Sequence, residues 1–171
     1  MNKTIAGLAG VAALTASAAL ACPAGAASPA ETWVMNSATV HGADKPIRIV
    51  ASGPVSGAGL LTQEFEETEN GDVVHAVWHF AKGTVSADAY EDFALAFDPV
   101  ACRGVATSSG TWVITGGTGA YAGATGHGTF GGTGTIIGQR DQAGACQGPE
   151  SDVDPTVSVA SLRGSGTAEL G

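Results

Sequence analysis

A chain of 171 residues with 16 acidic and 7 basic side chains has room for one domain and carries a net charge of −9. That balance disfavours a phosphate backbone or an anionic membrane surface as partner, so nucleic-acid binding is excluded as a first reading. Glycine is abundant, at 26 residues, and Thr, Val and Ala recur in short runs bounded by Gly, Pro, Asn and Asp, the pattern of many short strands.

The chain opens Met1-Asn2-Lys3, runs uncharged from Ile5 to Ala21, and reaches Pro23-Ala24-Gly25-Ala26-Ala27-Ser28. A basic start, an apolar stretch and small residues before a cleavage point spell a secretory signal peptide, residues 1–27, cut after Ala26 or Ala27. Cys22 raises the alternative of a lipoprotein anchored through that cysteine. Ala19, however, stands where the lipobox pattern has a large aliphatic residue, so ordinary secretion is preferred. Losing Lys3 takes the net charge to about −10. No later stretch is apolar enough to span a bilayer as a helix.

Residues 28–171 form the expected folded domain. Strands are predicted at Thr32–Val40, Ile47–Ala51, Gly59–Thr68, Val73–Ala81, Thr84–Ala87, Phe93–Phe97, Gly104–Ala106, Thr111–Thr115, Gly128–Ile137 and Thr156–Leu162. No window beyond the leader keeps a helical period. Between Ile137 and Val153 the composition turns polar, which predicts a long surface loop. Cys102 and Cys146 are the two cysteines left after cleavage, and in an exported chain they read as one disulfide. Closing a loop of about 45 residues stabilises by roughly 3 to 4 kcal/mol in the chain-entropy treatment.

Glu69-Asn70-Gly71-Asp72 is the sharpest turn signal, because Asn-Gly supplies the positive φ angles of a two-residue hairpin. A turn at Asn70-Gly71 sets Glu66 opposite His75, with Glu64 diagonal, and Thr62 opposite His79. Leu61, Phe65, Val74, Ala76, Trp78 and Phe80 then share an apolar face. Thr62, Glu64, Glu66, His75, Val77 and His79 share the other.

Glu64, Glu66 and His75 are the candidate acid/base residues, since a carboxylate orients an imidazole and sets its basicity. They serve chemistry only if that face points into a cavity; otherwise they are a cross-strand charge pair in solvent. His75 and His79 lie roughly 13 Å apart on a strand, too far to share a zinc ion, so no metal site is expected. Trp33, Trp78, Trp112, Tyr90, Tyr121 and Phe130 read as barrel core or rim. Of these Trp78, Trp112 and Tyr121, with His127 between two glycines, are the candidate ligand contacts.

Thr115-Gly116-Gly117-Thr118-Gly119-Ala120-Tyr121-Ala122-Gly123 resembles a dinucleotide-binding glycine fingerprint. That fingerprint works only where a strand meets a helix, and Ala124-Thr125-Gly126-His127-Gly128 cannot hold one. The extended run Gly116 to Gly126 resembles instead the Gly-Gly-Thr-Gly-x-(Phe/Tyr)-x-x-Ala-x-Gly signature of the dirigent and allene oxide cyclase superfamily. It is similar also to that of small exported bacterial proteins sharing the same barrel. The match covers mainly Thr111 to Ile137.

The resemblance implies an all-β, calycin-like fold: a single eight-stranded antiparallel barrel with a central cavity and a hydrophobic ligand. Dirigent proteins steer phenolic radical coupling and allene oxide cyclases close a ring in an oxidised fatty acid, both without a metal or organic cofactor. Their functional residues lie outside the matching segment, so no residue of this chain takes a role from them. Three readings follow. The first is a secreted barrel that binds a small apolar or aromatic molecule in its lumen without turnover. The second is a cofactor-independent isomerase, cyclase or dirigent-type protein using Glu64, Glu66 and His75. The third is a structural or interaction protein of the cell exterior with a packed barrel.

Overall fold

The structure, a computed structural model, describes residues 27–68, 71–149 and 151–171. The segment through Ala26 that the sequence reads as a signal peptide, Cys22 within it, and Glu69 and Asn70 lie outside the described residues. Eight strands carry the fold: β1 (Ala30–Val40), β2 (Ile47–Ser52), β3 (Gly57–Thr68), β4 (Gly71–Phe80), β5 (Gly83–Asp98), β6 (Arg103–Gly117), β7 (Thr125–Ile137) and β8 (Val157–Glu169). Each pairs antiparallel with its neighbours in sequence, and β8 closes on β1 through a register running from Ala30↔Thr167 to Val40↔Val157. Closure into an eight-stranded barrel leaves no free edge among the main strands. Short pairings add Ala43–Asp44 beside β1 and a small ribbon of Gln139–Arg140 with Cys146–Gln147.

Ten predicted strands became eight because two breaks do not exist. Asp88 to Asp92 and Thr107 to Gly110 read as turn-like clusters, yet both run through the middle of continuous strands of 16 and 15 residues. Their polar side chains sit on a pleat that already has neighbours on both sides, and ladder pairing overrides local propensity there. Where β5 meets β6 the register shifts between Ser86 and Ala87, skipping Thr115. Such a bulge adds the local twist that closure needs.

The β3–β4 pairing also differs from expectation. Thr68 pairs with Gly71 and Glu64 with His75, so the register is offset by two residues from the one an Asn70-Gly71 turn would set. An offset of two keeps every side chain on its expected face, whereas an offset of one would have inverted them. Leu61, Val74, Ala76 and Trp78 are accordingly buried inside the barrel, and Glu66, His75 and His79 face outward.

Between β6 and β7 the glycine-dense stretch makes a single 3-10 turn, Gly119–Tyr121, and returns directly as a strand. It is fastened to the β4–β5 turn, where the Ala120 amide donates to the Lys82 carbonyl at 2.9 Å and the Thr118 amide to that of Thr84 at 2.9 Å. Gly119 takes φ +61, and a side chain there would meet the Lys82 carbonyl at 2.3 Å, so glycine is required. At the other end of the barrel, the 138–156 segment is tied down by the Cys102–Cys146 disulfide, with Cα atoms 5.4 Å apart. Arg140 reinforces the tie by donating to the carbonyls of Val100 at 2.6 Å and Gly144 at 2.9 Å.

Candidate functional site

The barrel is plugged at one end and open at the other. At the end holding the 53–56 and 118–124 turns, Ile49, Val55, Val85, Ile114, Tyr121, Ala124 and Ala168 fill the lumen. The Tyr121 hydroxyl donates to the Ser56 carbonyl at 2.7 Å, joining the two turns across the opening. Above this plug lies an aromatic floor. Trp33 and Trp78 stand 5.9 Å apart, Trp33 and Phe130 6.0 Å, and Trp78 and Trp112 6.3 Å, all at tilted angles. Tilted contacts of this kind add about 0.5 to 1.5 kcal/mol each beyond buried area.

Glycines make the floor fit. A Cβ on Gly164 would lie 2.1 Å from Trp33 Cε2, and one on Gly128 2.7 Å from Trp112 Cζ2. Small residues on β7 and β8 thus receive the large rings of β1 and β6, which is how a small barrel packs its interior.

On the open side of the floor the walls change to alanine. Ala76, Ala87, Ala89, Ala106 and Ala160 point inward with Met35, Leu61 and Leu162, leaving a cavity of about 400 Å³. Its two carboxylates lie on one arc, Asp72 from β4 and Glu91 from β5, flanked by Gln63 from β3 and Ser108 from β6, while Ser37 of β1 and Thr133 of β7 also line it. The Ser108 hydroxyl, buried in the wall, donates to the Glu91 carboxylate. Phe65 and Phe93 stand at the rim with 64% and 58% of their surface exposed.

The candidate residues divide between the two sides of the sheet. Trp78 and Trp112 form part of the floor, where the Trp112 indole N–H donates to the Thr129 carbonyl at 3.2 Å. Tyr121 lies below it in the plug, and His127 is exposed on the outer face of β7. Glu64, Glu66 and His75 come together outside the barrel, away from the cavity. There His75 Nε2 contacts Glu66 Oε2 at 3.0 Å and His75 Nδ1 contacts Asp88 Oδ1 at 2.8 Å. The Glu66 hydrogen bond, then the Asp88 one, raises the imidazole pKa above its ordinary value. Asp88 is directly opposite His75 across β4 and β5. His79 pairs with the Thr62 hydroxyl at 3.0 Å on the same outer face.

Asp72, Glu91, Ser108 and Gln63 were not singled out by the sequence, though a signal existed. Val85, Ala87, Ala89, Glu91 and Phe93 alternate without a break on the inward side of β5, and Ala106, Ser108 and Trp112 do so on β6. Dividing each strand at its polar middle hid that period.

One further ionisable group is buried, at the plugged end. Glu31 on β1 has no exposed surface, and its Oε2 accepts the Val55 amide at 3.0 Å while Oε1 has no partner. Burial pushes its pKa up to about 7 against the lowering effect of the Val55 hydrogen bond. Among the described residues no group of three or more His, Cys, Asp or Glu is placed to hold a metal ion, and no helix is long and apolar enough to cross a membrane. No protein-family model, no curated protein and no solved structure matches the chain. The site itself defines a small β-barrel with a half-open apolar lumen.

Proposed function

We propose that this protein is a secreted barrel that holds a small apolar or aromatic molecule in the open half of its lumen without converting it. The observation that carries this reading is the cavity of about 400 Å³, floored by tryptophans and walled largely by alanines. Concave, mostly apolar spaces of this size with a few convergent polar groups are what small-molecule sites look like. A purely structural barrel gains nothing from leaving such space empty, because unfilled apolar volume costs stability. The turnover alternative drew on Glu64, Glu66 and His75, and these face solvent, so binding is preferred over an isomerase or cyclase.

Two sequence features support the rest of the reading. The Gly116 to Gly126 signature resembles that of the dirigent and allene oxide cyclase superfamily, whose characterised branches hold hydrophobic ligands in such a barrel. The leader pattern of residues 1–27 and the disulfide fit export, with anchoring through Cys22 as the alternative.

The test is titration with N-phenyl-naphthylamine, a neutral apolar fluorophore. One equivalent is expected to bind per chain with a rise in its emission, and Ala89→Phe or Ala160→Phe, which fill the cavity, should weaken it by at least about tenfold. Equal binding by folded filled variants would place the ligand elsewhere and overturn the reading.

A further inference from the structure

Beyond being apolar, the cavity is electrically one-sided. Asp72 and Glu91 are direct cross-strand partners on β4 and β5, and both line the lumen. Like charges directly opposite on one sheet face destabilise the empty barrel, so the arrangement has a cost that a packed or neutral wall would avoid. Glu91 is fixed in the wall by the Ser108 hydroxyl. Asp72, among the described residues, makes no side-chain hydrogen bond and no ion pair.

Among the described residues no lysine, arginine or histidine lines the cavity to balance these carboxylates. An anionic ligand such as a fatty-acid carboxylate would therefore meet repulsion at this arc, reinforced by the net charge of −9 over the whole chain. Phe65 and Phe93 complete the picture. In the β3–β4–β5 register each lies diagonal to Asp72 on the lumen side, and both rings are exposed at the mouth. Carboxylates flanked by aromatic faces, above an aromatic floor, suit a group that is positively charged and attached to an apolar body.

We infer that the lumen selects an amphipathic amine: an aromatic or aliphatic body seated on the Trp33, Trp78 and Trp112 floor, with a cationic head held between Asp72 and Glu91 at the mouth. The inference rests on the reading of the lumen as a binding cavity and specifies which chemistry that cavity prefers. It needs no covalent step. The head exchanges water for two carboxylates, and the cross-strand repulsion is relieved on binding.

Three probes with one body and different heads test it: phenylbutylamine, phenylbutanol and phenylbutyrate, titrated at neutral pH. All three tryptophans of the chain line the cavity, so intrinsic emission reports occupancy directly, with calorimetry as the second readout. The amine should bind about tenfold tighter than the alcohol, the difference one charge-assisted contact makes, and the carboxylate should bind weakest. In the Asp72→Asn, Glu91→Gln double variant the advantage of the amine should vanish while the alcohol binds as before, which also shows that the variant is folded. Added salt should narrow the gap between amine and alcohol. Equal binding of amine and alcohol to the wild type, or an amine preference that survives in the double variant, overturns the inference and leaves the lumen reading standing. Failure of all three probes to bind overturns the lumen reading itself.

Discussion

The two halves of the lumen are built on the same eight strands and differ in what those strands point inward. Toward the plugged end the inward positions are Ile49, Val55, Val85, Ile114 and Tyr121, all nearly or fully buried. Toward the open end they become Ala76, Ala87, Ala89 and Ala160, interrupted by Asp72, Glu91 and Ser108. The turns follow the same division. Those at the plugged end are laced together by Tyr121 to Ser56 and by Thr118 to Thr84, and the mouth instead presents two exposed phenylalanines. One half stores the stability of the barrel, and the other gives up packing to keep a space. The tryptophan floor is the boundary, serving as the top of the core and the base of the cavity.

The comparison is broken most forcefully at that boundary. Trp112→Ala removes a side chain with 1% exposure that touches Trp78, and is expected to cost about 3 to 5 kcal/mol in urea unfolding. Ala89→Leu, on the open side, should shift stability by less than about 1 kcal/mol because space already exists for it, while reducing ligand capture. Equal stability losses at both positions would mean that the cavity is packed in solution and that the two halves do not differ.

How much of this was legible in the sequence follows from what each signal depends on. The apolar face of the β3–β4 hairpin was readable because alternation depends only on parity, and it survived a register offset of two residues. The disulfide was readable from the two cysteines that remain once the leader is read as a cleaved signal peptide. The cavity rim was not. Asp88, Glu91 and Asp92 look like turn residues when taken one at a time, and only the continuous pairing of β5 with β4 and β6 holds them extended. Glu66 and His75 did meet, but diagonally, with Glu64 taking the directly opposite place and Asp88 arriving from a strand that had been divided there. Whether a cavity remains is a matter of summed side-chain volumes around a closed ring, and no local pattern contains that sum.

The plugged half carries a pH dependence of its own. Folded, the Glu31 carboxyl holds its proton up to about pH 7, against an ordinary value of 4.5. Between those values the native state binds more protons than the unfolded chain, so stability is full below about 4.5 and falls as pH rises toward 7. The loss is on the order of 2 to 3 kcal/mol. Glu31→Gln keeps an oxygen for the Val55 amide and has nothing to ionise. It should flatten the profile and raise stability by about 1 to 3 kcal/mol above neutrality, read from urea midpoints across the pH range. A wild-type profile that is already flat would show that water reaches this carboxylate and that the plug is not tight.

The smallest expected effect lies outside the barrel altogether, and it sharpens the division between inner and outer faces. His75 is held between Glu66 and Asp88 on the outer face, its side chain about half exposed to solvent. Solvent screens such pairs, so replacing His75 by alanine should leave folding and ligand capture essentially unchanged. The pair should be visible in titration instead. The His75 imidazole is expected to titrate above its ordinary value of 6.5, with Glu66→Gln lowering the midpoint more than Asp88→Asn, since the Glu66 hydrogen bond is the larger cause. Proton NMR of the imidazole resonances follows this directly. If His75→Ala were instead to abolish ligand binding or turnover of any ligand found for the lumen, the outer face would have to communicate with the cavity through β4. The separation of a polar outside from a binding inside would then fail.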